Sequence, residues 1–468
     1  MIDLASPLDL TNPEAPEFLA NLQGNILKSH GRDHTAHLLL RFTAAPAVVR
    51  PWIALFARTS ITSAADSRLA SEGWKITGGR GARFTMFLLS AAGYRALDLT
   101  AAIPVPSGPF EPPFAGEYFT RGMKNQATLS DVNGRTYNDP PAAAWEPGYQ
   151  GDIHAMILLA DDDSSRLDAS VKTHCESLRG IAEILAVERG DTIHDTFNGG
   201  EHVIEHFGFR DGISQPLVIK QEIDKEIAAR GNAHWDPSAA LSLLLTKEPG
   251  PDANYGSFMV FRKLEQNAAG YWNSLQQLAD REHWDVEATG AMAVGRFRDG
   301  TPAVPTTPPP DPAAERNDFH YDSDPQGGKC PFHAHIRKTN PRGDITRLLG
   351  VPAEFERAKR IVRHGITYGP RPDLLQKPPG PRPSRGVGLL FMCFQASLDQ
   401  FVIQQEGADS NDFVTEGTGP DAVYGQNPAP VDQTWPSTGT AKFNAGQFVK
   451  MLGGEYFFAP SLPFLTSL

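Results

Sequence analysis

Apolar residues fall into short runs along the chain, and most runs are followed by a stretch of helical spacing. Residues 37–42 (HLLLRF), 85–89 (TMFLL), 152–159 (DIHAMILL), 257–264 (SFMVFRKL) and 387–394 (VGLLFMCF) have strand length. Runs this short, bounded by turn formers, predict buried β-strands. Helix-like segments follow four of them. AAGYRAL comes after 85–89, and 267–280 comes after 257–264. After 152–159, Leu167, Val171, Leu178, Ile181 and Leu185 recur at helical intervals and predict a helix through 164–186. After 387–394, residues 397–405 read as a helix with Ser397 as N-cap. The same strand-then-helix order occurs in both halves, without a visible sequence repeat. It predicts an α+β protein of two similar halves. Residues 1–20 are polar and Pro-containing and predict an extended arm. A short helix-like stretch and a strand follow within 21–44. The stretch 301–312 holds six prolines and predicts an irregular surface loop. The charged segment 221–230 and the loop-like 247–254 place the break between halves within 217–250.

Composition narrows the class. Of 468 residues, 40% are hydrophobic and 21% charged, which is globular. Lys and Arg number 43 against 55 Asp and Glu, a net charge of −12. That balance argues against nucleic acid or an anionic membrane as the main partner. It leaves room for a local basic pocket. Cys175, Cys330 and Cys393 are too few for a disulfide framework, and no CxxC is present. The first residues lack a basic and then apolar secretory pattern, and no apolar run approaches the ~18 residues needed to span a bilayer. There is no N-x-S/T sequon. A cytoplasmic location is expected.

Several familiar motifs fail on inspection. Gly78, Gly79 and Gly81 lack dinucleotide-loop spacing. Gly327-Gly328-Lys329-Cys330 lacks the leading Gly and the hydroxyl residue of a phosphate loop. GxSxG and HExxH are absent, and His34 with His37 reads as a pair of turn residues.

Two segments hold more chemistry. In His206-Phe-Gly-Phe-Arg-Asp-Gly-Ile-Ser-Gln-Pro216, Asp211 sits in a Gly-x-x-Asp-Gly turn. Alone, that Asp reads as a turn former. In Cys330-Pro-Phe-His-Ala-His-Ile-Arg-Lys-Thr-Asn-Pro-Arg342, two histidines stand beside a positive cluster suited to carboxylates or phosphates.

With these segments in view, the sequence resembles the dye-decolourising peroxidases, in their longer-chain fungal and bacterial branch. The likeness is an ordered series over about residues 21–426. It comprises Asn21-Leu-Gln-Gly-Asn-Ile-Leu27 with Gly31-Arg-Asp-His34, the GFRDG turn and the CPFHAHIRKTNPR segment. It continues through Arg360-Ile-Val-Arg-His-Gly-Ile-Thr-Tyr-Gly369 and Gly388-Leu-Leu-Phe-Met-Cys-Phe-Gln395. It ends with Thr418-Gly-Pro-Asp-Ala-Val-Tyr-Gly-Gln426.

The resemblance implies two ferredoxin-like halves, antiparallel sheets with helices, enclosing one haem b per chain. The halves would be 21–220, carrying Asp211, and 221–468, carrying the iron ligand, after the arm 1–20. By motif position the proximal ligand is His335, with His333 as the alternative, and Asp421 is its acidic partner. Asp211 and Arg363 match the distal pair. Asp211 would move the peroxide proton and Arg363 would stabilise developing negative charge. An ordinary aspartate pKa near ~3.9 then implies an acidic activity optimum. Leu389 and Phe391 share one strand face and would line the distal pocket. Ile213 and Ser214 would lie close to the porphyrin. Among His206, Arg337, Arg342 and Arg347, the propionate partners expected are His206 and Arg347. Arg360 is expected to be a solvated helix charge. Hydrogen peroxide would be reduced through an oxoferryl porphyrin radical, and phenolic or dye-type donors oxidised in one-electron steps. Bulky donors would pass electrons through surface Trp or Tyr residues, with Tyr368, Trp435 and Tyr424 as candidates. The alternative is a haem-binding or haem-storage protein with little turnover.

Overall fold

The computed structural model describes residues 2–78, 81–106, 115–128, 138–197, 200–250, 253–304, 317–371, 381–426, 430–436 and 441–468. The first four strands are β1 (His34–Phe42), β2 (Phe84–Leu89), β3 (Ala155–Asp161) and β4 (Ala182–Asp191). A separate hairpin follows, β5 (Ile193–Phe197) with β6 (Gly200–Ile204). Then come β7 (Thr246–Lys247), β8 (Tyr255–Gln266), β9 (Val362–Arg363), β10 (Ile366–Tyr368) and β11 (Gly388–Gln395). A second hairpin, β12 (Gln433–Trp435) with β13 (Ala441–Phe443), precedes the last strand, β14 (Val449–Ala459).

Ten of these strands form one sheet along the path β10-β11-β8-β14-β2-β3-β1-β4, with β7 and β9 attached to β8 and β11. All pairings are antiparallel. The half β2-β3-β1-β4 and the half β10-β11-β8-β14 have the same order: second, third, first, fourth strand. This is the ferredoxin-like arrangement in duplicate. The halves join where Phe458 of β14 pairs with Leu89 of β2. At the far ends, the Thr367 hydroxyl of β10 donates to the Asp191 carbonyl of β4. Gly190 is required there, because a Cβ would stand 2.5 Å from Ile366 Cγ2. The sheet therefore curls until its ends meet. Across the interior, the ring of His37 on β1 packs 5.4 Å from that of Phe261 on β8.

Helices cover the outer faces. Ser164–Ser177 is capped by Asp163, whose carboxylate accepts from the N–H groups of Ser165 and Arg166. The helix expected through 164–186 thus stops early. Gly180 turns the chain at φ 74°, and 182–191 becomes β4. Ile181 and Leu185 kept helical spacing by coincidence. Asn267 caps Ala268–Glu282. The helix Asp399–Asp409 starts after Leu398, and the Ser397 hydroxyl accepts from the Asp399 N–H at 3.4 Å rather than serving as N-cap. Residues 1–20 are not a free arm. Ala15–Asn21 is helical, and Leu8 bonds both ways with the 218–220 backbone. Of the Pro-rich stretch, 301–304 is buried, and 305–312 lies outside the described residues. Gly79 also lies outside them.

The NLQGN motif staples the molecule. Gln23 spans β2 and the end of β14: its Nε2 donates to Phe87 and Pro460 carbonyls, and its Oε1 accepts from the Phe87 N–H. Asn25 turns back at φ 67°, and its carbonyl accepts from His364 Nδ1 at 2.7 Å.

Candidate active site

Strand alternation builds the floor of a large cavity. On β11, Leu390 and Met392 point into the core, so Leu389 and Phe391 point outward. On β8, Arg262, Leu264 and Gln266 share the matching outer face. All five line a cavity of about 1700 Å³ of empty space, measured out to its open mouth. The GFRDG loop, the segment from His335 to Arg342, and the helix Asp399–Asp409 close over this floor.

His335 begins a short helix, His335–Thr339, and lines the cavity with its side chain 25% exposed. Its Nδ1 lies 2.9 Å from Asp421 Oδ2. The other oxygen of Asp421 accepts from the Val423 and Tyr424 N–H groups at 2.7 and 3.1 Å. Asp421 is thus a fully buried, backbone-anchored acceptor. It leaves Nε2 of His335 as the nitrogen available to a ligand. The edge of Tyr424 packs on the same ring, at 5.1 Å. His333 is elsewhere, buried 4.4 Å from the ring of Trp435, with burial pushing its pKa down to about 3.

Asp211 and Arg363 line the same cavity, Oδ1 to Nη1 at 3.5 Å and about one third exposed. Arg363 sits on β9, paired with Cys393 of β11. Its backbone exchanges two hydrogen bonds with the Gln215 side chain, and its Nη2 donates to the Ser214 carbonyl. Asp211 Oδ1 accepts from the Gly212 N–H at 2.6 Å. The loop is held from behind by Glu205, whose buried carboxylate accepts from the Phe207 and Phe209 N–H groups. Burial raises its pKa.

The positive segment after His335 divides three ways. Arg337 is fully buried and bonded to Asp344 and Asp324. Lys338 donates to the Gly407 and Ser410 carbonyls at the end of the helix Asp399–Asp409. Arg342 reaches the cavity, bonding Ser214 Oγ at 2.9 Å with its guanidinium over Phe319 and Trp235. Ser214 therefore bridges Arg342 and Arg363.

The two expected propionate partners lie elsewhere. His206 is buried with Nε2 on the Tyr368 carbonyl, and it is not among the cavity-lining residues. Arg347 pairs with Asp344 and Asp322, also off the cavity. Local sequence carries no side-chain direction, so neither could be told from Arg342. The turn Pro341-Arg342-Gly343, with Arg342 at φ 44°, was the available signal. Arg360 is no solvated charge: it is buried, lines the cavity and donates to the Ser238 carbonyl. Ile213, Ser214, Leu389 and Phe391 all line the cavity, as does Tyr424. Trp435 is fully buried and Tyr368 nearly so, which does not suit surface electron entry, whereas Trp74 is 56% exposed.

The donor set suits a flat, anionic, metal-bearing cofactor. One imidazole nitrogen is presented with a carboxylate behind it, the walls carry Ile213, Val294, Leu389 and Phe391, and buried guanidiniums crowd one side. Burial pushes Arg342 down to about 9, with Arg296 adding to the shift, and burial beside Arg357 does the same to Arg360. Cations so placed favour an anion between them.

No family model matches the chain. It is 38% identical to the multifunctional dye peroxidase DyP2 of Amycolatopsis sp., over 491 aligned positions covering all of both chains. It is 31% identical to the dye-decolorizing peroxidase msp1 of Mycetinis scorodonius, covering 80% of this chain and 74% of that one. The solved DyP-type peroxidase of Anabaena sp. superposes with a TM-score of 0.87 at 38% identity, covering 98% of this chain and 97% of the other. Fold, ordered motifs and full-length identity agree: the chain belongs to the dye-decolourising peroxidase family.

Proposed function

We propose that the cavity binds one haem b per chain, with His335 Nε2 on the iron and Arg342 toward the propionates. As a dye-decolourising peroxidase, the protein reduces hydrogen peroxide and oxidises dye or phenolic donors. The observation that carries the residue assignment is that His335, backed by the buried Asp421, lines the same cavity as Asp211 and Arg363. When bound, the haem would supply the redox chemistry, storing the two oxidising equivalents of peroxide until donors give up two electrons singly.

The chain's own residues do the rest. Asp421 accepts the Nδ1 proton of His335, fixing the tautomer whose Nε2 lone pair faces the metal. Asp211 receives a proton from one peroxide oxygen and gives it to the other, which then leaves as water. Gly212 holds one carboxylate oxygen, so the other is left for this transfer. The Arg363 guanidinium stabilises negative charge on the departing oxygen. Leu389 and Phe391 narrow the space above the cofactor and exclude large donors. A haem-storage role is disfavoured because both members of the acid–cation pair are present.

The visible spectrum of the purified protein, before and after one equivalent of peroxide, tests the reading. A Soret band that shifts on mixing is expected. His335→Ala should lose axial ligation, and an unaltered iron spectrum in that variant removes His335 from the role.

A further inference from the structure

A pair of histidines outside the active site faces across two loops. His234 Nδ1 and His320 Nε2 are 3.2 Å apart, with their rings at 88°. Two nitrogens bound at 2.0–2.1 Å to one tetrahedral metal stand about 3.3 Å apart. The spacing is therefore already that of two ligands on one ion, and rotation of the rings would turn both lone pairs to a common point.

The surroundings hold the two segments beside each other. The Asp318 carboxylate accepts from three successive N–H groups, those of Ala233, His234 and Trp235, at 2.7–2.9 Å. Gly231, at φ 80°, lets the loop pass over it, since a Cβ would meet Asp318 Oδ2 at 3.1 Å. On the other ring, His320 Nδ1 accepts from the Asp322 N–H and lies 3.4 Å from Asp322 Oδ2. His320 thus carries its proton on Nε2, pointed at His234. If that proton moves to Nδ1 it can be donated to the Asp322 carboxylate, and Nε2 is freed. A carboxylate behind a ligating imidazole is the usual second shell of such a metal.

We propose that His234 and His320 form an exchangeable two-imidazole site for a divalent transition-metal ion. Imidazole nitrogens select zinc, copper or nickel over magnesium or calcium. Among the described residues no third His, Cys, Asp or Glu completes the set, so water fills the remaining positions and the ion can leave. The site lies against the active-site wall. Trp235, next to His234, lines the cavity and carries the Arg342 guanidinium 4.4 Å from its ring. A bound ion ties the 231–236 loop to the 318–322 segment and stiffens that wall.

The test is calorimetric titration of the haem-loaded full chain with zinc, paired with copper paramagnetic resonance. One zinc per chain is expected, with a copper signal split by two nitrogens. His234→Ala and His320→Ala should each weaken binding at least about tenfold while leaving the Soret band unchanged. No zinc uptake by the unaltered protein, or an affinity in either variant equal to that of the unaltered protein, overturns the site. A copper signal carrying a single nitrogen overturns the pairing.

Discussion

Asp421 shows how much one carboxylate can settle. One oxygen is taken by two backbone N–H groups, and the other by His335 Nδ1. Asp421→Asn keeps the first contact but turns an amide N–H toward the imidazole. Nδ1 must then accept, and its proton moves to the nitrogen that should hold iron. Haem transfer to an apo-globin acceptor should accelerate by roughly 10–100-fold. Arg363→Leu removes the cation beside Asp211 and should slow the stopped-flow reaction with peroxide on the order of 10²–10³-fold, with haem content unchanged. Unchanged kinetics would take Arg363 out of the mechanism. Asp211→Asn should cost less, because water beside Arg363 can carry the proton. Measured against pH, its rate should vary less on the acid side than that of the unaltered protein.

At the scale of elements, the cavity exists because one face of β8 and β11 is left open to the cofactor. Their close pairing is a condition of that floor. A Cβ on Gly388 would stand 1.9 Å from the Leu264 carbonyl oxygen. Gly388→Ala must push β11 off β8, and should lower stability by about 1–3 kcal/mol, read from the denaturant midpoint. Haem affinity should fall with it, because Leu389 is the next residue. The ordered motifs are legible at this scale too. Gln23 and Asn25 tie elements more than three hundred residues apart in the chain, to Pro460 and His364. Their residue types were readable, but their partners were not.

For the whole molecule, burial of histidines sets the response to acid. Burial pushes His30 down to about 3, helped by His364 and Arg32, and pushes His37 and His364 down to about 4. Unfolded, each would titrate near 6.5. Their contribution to stability is full above that value and is lost as pH falls toward about 3–4. Burial acts oppositely on Asp409 and Glu455, both raised to about 7. Their contribution is present below the unfolded carboxylate values and is lost as pH rises through about 7. His37→Phe keeps a ring against Phe261 and deletes one titration. The gap in denaturation midpoint between pH 7 and pH 5 should narrow in this variant, and an unchanged gap would show that His37 is not part of the acid response.

Local sequence located five strands, those within β1, β2, β3, β8 and β11, because their short apolar runs are bounded by turn formers. The ordered motifs shared with the peroxidase family pointed to the site residues, whereas Asp211 by itself read as a turn former. Local sequence did not determine where 164–186 stops being helix, because Ile181 and Leu185 fit both spacings. Tertiary structure alone decided that β14 joins β2 and that the sheet's ends meet at Gly190 and Ile366. It also decided that Arg342 reaches the cavity while Arg337, five residues earlier, is consumed by Asp344. The reason is physical. Periodicity records which face of an element is buried, but the direction of a charged side chain is set by partners that only the folded chain brings near.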